Sequence, residues 1–370
     1  MMKNQSKLCV ALTIIIINDT LLSTSIDESS DKMSKTIKEI HKNNTQIIRD
    51  LLKENPYNTK SSLSQDSGLS VATCYNILTQ LLALDEAVEL TPAPSSGGRP
   101  SRRFTYNKDY QSSLALYIRK EDKDITVYSV LSNSINEEIS HQLLTDNNLN
   151  IESLCNLLSK LLNAYTNVQS IAISIPGIIN DNTIIECDIP ALNGFKIKSY
   201  VEEKHQISTV IENDVNIVIT GYHQHFRDNP PESICFLYFP KNGLPGMGII
   251  INGKIIKGYN NFSGEIKHTL SNRTFDDLLN IQRNGDKFTD YILELIQSIS
   301  SIINPEYMIF SGLSFSKEVI QLITHKMNNH TLKAYFPKLI FEDDIHDSLI
   351  IGLKHLNQTN IKSIHGGQTL

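Results

Sequence analysis

The stretch "VIENDVN", residues 210–216, sets Asn213 and Asp214 directly after a short apolar run and directly before the helical-looking segment "IVITGYHQHF". Two readings suit an amide and a carboxylate at such a junction. Asn and Asp cap helices, because their side chains accept the first free backbone N–H groups. They also hold polar ligands in clefts at the carboxyl ends of strands. These residues alone leave both readings open.

Working outward, alternating strand and helix texture runs from about residue 112. "SLALYI", "DITVYSVL", "SIAISIPGIIN", "STVIEND", "SICFLYF" and "GMGIIINGKII" are strand candidates, with longer helical stretches between several of them. That alternation predicts an α/β architecture with mixed sheets.

The chain before it has a different pattern. Ile37, Ile40, Ile47, Ile48, Leu51 and Leu52 recur near helical spacing, and "NPYNT" at 55–59 breaks that helix. In "KSSLSQDSGLSVATCYNILTQLLALD", residues 60–85, a short helix through Leu63 should end at Gly68. Ser70 should cap the next helix, with Ile77, Leu78, Leu81 and Leu82 facing inward. Its outer side then offers Ser70, Val71, Thr73, Tyr75, Asn76, Thr79 and Gln80, small and polar groups suited to a DNA major groove. An ordinary packing hairpin is the plainer alternative. The following "AVELTPAPSSGGRPSRRFTYN", residues 87–107, weakens it, because it reads as strand, glycine-rich tip and strand bearing Arg99, Arg102 and Arg103. Arginines there suit phosphates or a narrow minor groove.

Composition sets outer bounds. The 370 residues are 40% hydrophobic and 20% charged, which allows two or three ordinary globular domains. A net charge of −6 argues against a protein that coats nucleic acid all over, but not against a local basic patch. Cys9, Cys74, Cys155, Cys187 and Cys235 are scattered, as free thiols in a reducing, cytoplasmic setting would be. No run of 18 apolar residues occurs, so no membrane span is expected. "KLCVALTIIII", residues 7–17, is short for a secretory signal and lacks a convincing cleavage site. Residues 1–32 therefore read as a disordered extension or a mis-called start, with Met33 as the natural first residue.

"GLSVATCYNILTQLLALD" and "GGRPSRRFTYN" resemble the winged-helix head of the ROK family (repressors, open reading frames and kinases). "SIPGIIND", "IENDVN", "GMGIIINGKIIKG" and "SGEIKH" follow in the order of that family's body. The resemblance covers about residues 35–355. It implies a winged helix-turn-helix over 33–108, mainly α, then an α/β body over 109–370. That body would be two-lobed and actin-like or hexokinase-like (ribonuclease H-like), with a sugar cleft between the lobes. By the same resemblance Asn213 and Asp214 fall on the family's sugar-binding Asn-Asp pair, whose aspartate is the general base in the kinases. Its Gly-Glu-x-Gly-His segment falls on Gly264, Glu265, Lys267 and His268, which implies sugar contacts from Glu265 and His268.

Departures from the pattern bear on activity. The family kinases' Asp-x-Gly-Gly-Thr phosphate turn is replaced by "RKEDK", residues 119–123, with no glycine and with two acidic residues. "GLPGMG", 243–248, fits a phosphate turn or a plain hairpin turn equally. The late strand "EYMIFSGLSFS" keeps only Gly312 of the adenosine-side glycines. No cysteine follows Cys235, so His268 cannot complete the family's zinc site. The glutamate ending the zinc loop has no clear counterpart, and spacing leaves Asp276 and Asp277 open as substitutes. Lys267 stands where the family has glycine, and would narrow the pocket or meet an acidic ligand.

The expectation is a DNA-binding regulator, a repressor of carbohydrate genes that has lost phosphoryl transfer and needs no cofactor or metal. Its partners would be double-stranded operator DNA and a sugar effector, in a homodimer or dimer of dimers. The alternatives are an active ROK-type sugar kinase and a ligand-blind DNA-binding protein whose body serves only for oligomerisation.

Overall fold

The computed structural model describes residues 38–91, 101–121, 123–165, 167–226, 229–240, 243–268 and 274–367. Residues 1–32, Met33 and Arg99 lie outside them. The described residues up to Asn107 belong to one compact unit, and those of Lys108–His365 form another.

In the first unit, helix α1 covers 38–54, α2 Lys60–Ser67 and α3 Val71–Ala83. Local chemistry sets their limits. The Thr59 hydroxyl caps α2 in a reciprocal pair with Ser62, and Gly68 ends it at φ +70°. The Ser70 hydroxyl accepts the Thr73 N–H to start α3. Strands β1, Ala87–Leu90, and β2, Arg103–Tyr106, pair antiparallel, and Asn58 adds a single bridge to Phe104. The core is Ile48, Leu52, Leu63, Cys74, Ile77, Leu78, Leu81 and Phe104. Of the periodic residues expected to face inward on α1, Ile40 and Ile47 are exposed, because only one narrow stripe of that helix meets α3 and the hairpin. Inside this core Arg49 holds Glu86 through two hydrogen bonds, at 2.5 and 3.0 Å, and the Tyr106 hydroxyl donates to the same carboxylate.

The second unit opens with β3, Ser112–Glu121, β4, Asp124–Asn133, β5, Glu138–Thr145, α4, Ile151–Ala164, and β6, Val168–Ile175. A hairpin of β7, Gly177–Asn180, and β8, Thr183–Cys187, precedes α5, Ile197–His205, β9, Ser208–Asn213, and α6, Asp214–His225. The chain continues with β10, Ser233–Tyr238, β11, Gly246–Ile251, β12, Lys254–Ile255, α7, Phe275–Gln282, and α8, Gly285–Ile302. It ends with β13, Tyr307–Ser311, α9, Lys317–Asn328, β14, Lys338–Glu342, and α10, His346–Gly367.

Two five-stranded sheets result, ordered β5-β4-β3-β6-β9 and β12-β11-β10-β13-β14. Each is an antiparallel meander of three strands extended by two parallel ones, so one topology occurs twice. This is the mixed-sheet body that the alternating sequence predicts. Alternation along β3 explains the layering. Leu114, Leu116 and Ile118 join the outer core with α4 and α5, while Ala115 and Tyr117 face the other side. On that side α6 and α10 lie between the sheets, packed on Ala172 of one and Ile234, Phe236 and Ile309 of the other. A third core covers the outer face of the second sheet with α8.

Candidate functional site

The carboxyl ends of β3, β6, β9, β10 and β13 converge on one cavity of about 590 Å³, within the usual range for small-ligand sites. In α/β sheets this is where ligands bind, because loops leaving the strand ends part there.

Asn213 ends β9 and caps α6. Its Oδ1 accepts the Val215 and Asn216 N–H groups at 3.0 and 3.3 Å, and its Nδ2 donates to the Gly177 carbonyl at 2.9 Å. Asp214, the first residue of α6, lines the cavity and accepts the Val215 N–H at 2.9 Å. Both readings posed by the sequence thus hold at this junction: Asn213 caps α6, and Asn213 and Asp214 both line the cavity. Burial first, and then the Asp188 carboxylate, push the Asp214 carboxyl up to about 7.

Asp188 follows β8 and also lines the cavity. Lost hydration raises its carboxyl, against the opposing pull of Lys120 and Lys267. Lys120 donates to the Asp188 carbonyl at 2.8 Å, and Arg119 donates to the Tyr238 hydroxyl at 2.9 Å and pairs with Glu121 at 2.6 Å. Glu212, nearly buried, accepts from the Asn213 N–H and Asn216 Nδ2 and pairs with Lys257.

Glu265 reaches the cavity through a tight turn. Gly264 lies at φ +93°, and a β-carbon there would stand 1.9 Å from the Met247 carbonyl oxygen, so only glycine fits. Lys267 sits 3.4 Å from the Glu265 carboxylate and 3.3 Å from that of Glu186, which commits its ammonium to protein carboxylates.

His268 departs from the expectation. It is exposed, stacks on Phe262 with ring centroids 5.4 Å apart, and does not line the cavity. The turn over Ile266–His268 points it outward, and no cysteines are available to draw it into a metal site. The residues present therefore do not fit the family's zinc. Cys187 and Cys235 are buried thiols raised by burial, and no group of three metal-ligating side chains occurs among the described residues. Asp276 and Asp277 do not line the cavity either; Asp277 closes a capping box with Thr274 at the start of α7.

The "RKEDK" stretch continues the strands. Glu121 of β3 pairs directly with Asp124 of β4, so the backbone of these two residues is used in the ladder. Gly243 and Gly246 line the cavity on the connection from β10 to β11.

On the first unit, α3 buries Cys74, Ile77, Leu78 and Leu81 and exposes Tyr75, Asn76, Thr79 and Gln80, while Thr73 is half-buried beside the capping Ser70. Arg102 pairs with Glu89 across the hairpin, and Arg103 lies over the Tyr57 ring at 5.5 Å. Lys60 covers the Tyr75 ring at 3.6 Å.

Sequence reasoning missed Asp188, Glu212, Arg119 and Tyr238. Glu212 adjoins the Asn-Asp pair and was within reach of that signal; the other three come from segments far apart in the chain.

Residues 126–287 match the model of the ROK family. The chain is 25% identical over 228 residues to the xylose repressor of Bacillus subtilis (strain 168), covering 60% of this chain and 58% of that one. It therefore spans less than two thirds of that relative's length. In fold it is similar to a ROK family transcriptional regulator, a homolog of the E. coli MLC protein, with a TM-score of 0.63, 15% identity, and 88% and 98% of the two chains covered. It is also similar to the ROK hexokinase of Thermus thermophilus, with a TM-score of 0.52, 12% identity, and 68% and 100% covered. The Lys108–His365 unit thus has the actin-like, hexokinase-like body with mixed sheets. The chain contains a ROK family domain.

Proposed function

We propose that the protein is a sugar-responsive transcriptional repressor, with a winged helix-turn-helix over residues 33–108 and an effector-binding ROK body over 109–370. The observation that carries this reading is one chain bearing both a polar-faced α3 beside an arginine hairpin and a carboxylate-lined cavity. The α3 face and Arg103 are suited to bases and phosphates. Asp214 and Glu265, which line the cavity, would accept sugar hydroxyls. The similarity to a xylose repressor supports a sugar as the effector class. A ligand bound better by one arrangement of the body would shift operator affinity. A homodimer would match a two-fold operator.

Strand pairing through Glu121 and Asp124 supports loss of phosphoryl transfer, because catalysis of that reaction rests on holding the phosphates. One observation favours the kinase instead: a carboxyl near 7 at Asp214 is suited to general-base work at neutral pH.

The test is fluorescence anisotropy of the full chain on DNA upstream of its own gene, against scrambled DNA, with and without a sugar panel. Selective binding released by one sugar supports the repressor. Selective binding that no sugar disturbs points to the ligand-blind protein. ATP consumption with a hexose and no selective DNA binding would establish the kinase.

A further inference from the structure

Resting on the sugar-site reading above, we infer that the cavity admits uncharged carbohydrates and rejects phosphorylated and carboxylated ones, with Asp188 setting that preference. Among the described residues seven carboxylates and three cations line the cavity. Each cation is already committed. Arg119 is held by Tyr238 and Glu121, Lys120 by the Asp188 carbonyl, and Lys267 by Glu186 and Glu265.

Asp188 and Asp214 have no ion-pair partner among the described residues, and burial raises both carboxyls. The cavity therefore already strains to hold its own negative charge. An anionic ligand would add to it, and would have to break an existing ion pair to reach Arg119 or Lys267, leaving only Lys120, which is held by a neutral carbonyl. Where the family's glycine turn would stand, Glu121 and Asp124 are paired in the ladder and bring two carboxylates to the cavity. Sugar hydroxyls, by contrast, donate to carboxylates without a charge penalty. Asp124 also lacks an ion pair among the described residues but accepts a hydrogen bond from Asn147. Of the Asp188 and Asp214 pair, Asp188 is the more exposed, so an incoming charged substituent meets it without displacing core structure.

Isothermal titration calorimetry on the full chain tests this, at physiological ionic strength and neutral pH. The probes are neutral hexoses and pentoses, their phosphates and their uronic acids. At least one neutral sugar should bind, with its phosphate and uronate weaker by about tenfold or more. Asp188→Lys should narrow or reverse that gap, and Asp188→Asn should move it part way. A phosphate or uronate binding as tightly as its parent overturns the proposal, as does an unchanged gap in Asp188→Lys. If no carbohydrate binds while selective DNA binding persists, the sugar-site reading itself fails and takes the proposal with it.

Discussion

Gly352 of α10 lies so close to α6 that a β-carbon there would stand 2.1 Å from the Ile217 carbonyl oxygen. The approach is reciprocal, since a β-carbon at Gly221 would stand 1.7 Å from the Ser348 carbonyl oxygen. Both helices are buried between the two sheets, so neither can retreat. Ala is the better helix former, yet a clash with backbone outweighs that gain. Gly352→Ala should lower stability by about 1–3 kcal/mol, read as a lower urea midpoint. Gly285→Ala, whose β-carbon would meet only Val319 at 3.9 Å, should change it by less than about 1 kcal/mol.

The first unit has its own vulnerable pair. Arg49 and Glu86 are both buried, and Tyr106 adds a third bond. Glu86→Ala leaves the guanidinium buried without a counter-charge, and should cost about 3–5 kcal/mol. Thermal unfolding should show the drop. Replacing Arg49 and Glu86 together by apolar residues should recover most of it.

Asp214 makes stability depend on pH. Its carboxyl is raised to about 7 in the fold, while an unfolded carboxylate titrates near 4. Between these values the unfolded chain loses its proton first, so stability falls as pH rises from about 4 to about 7 and then levels. Asp214→Asn, which keeps an oxygen for the Val215 N–H, removes this dependence. Relative to the unsubstituted protein it should match at pH near 4 and be more stable above 7 by about 1–2 kcal/mol, allowing for the open cavity. Sugar affinity of the unsubstituted protein should rise through the same window, because hydroxyls donate to the ionised form. Calorimetric titrations across pH check this, and a flat profile would contradict a sugar hydroxyl bound at Asp214.

For the DNA reading, replacing Arg102 and Arg103 by Ala should weaken binding to all sequences. It should also reduce the slope of log affinity against log salt by about 1 for each phosphate no longer neutralised. Unchanged slopes would exclude the hairpin from the DNA interface. Asn76→Ala should instead relax sequence preference, by about 1–3 kcal/mol at one base position. Equal weakening on operator and scrambled DNA would rule out base reading by Asn76.

How much of this was legible beforehand depends on the range of the forces concerned. The Gly68 turn and the caps at Ser70 and Asn213 are settled within three or four residues, so the sequence carries them directly. The double-sheet body follows from strand alternation and from motif order. Inward packing of α1 followed only in part: Ile48 and Leu52 are buried, while Ile40 and Ile47 carry the right spacing but stay exposed among the described residues.

The sequence by itself determined the elements, their order and the junction at Asn213 and Asp214, because hydrogen bonding and side-chain periodicity act locally along the chain. Only the tertiary structure decided what surrounds Asp214. Arg119, Asp188, Tyr238 and Lys267 sit on four different segments: Arg119 and Tyr238 near the carboxyl ends of β3 and β10, Asp188 just after the β7–β8 hairpin, and Lys267 in the turn after Gly264. In the turn over Ile266–His268 each residue steps about a third of a turn around the axis, which sets Lys267 beside Glu265 and leaves His268 exposed against Phe262. Charge and burial in the cavity are sums over distant groups, and spacing along the chain does not encode them.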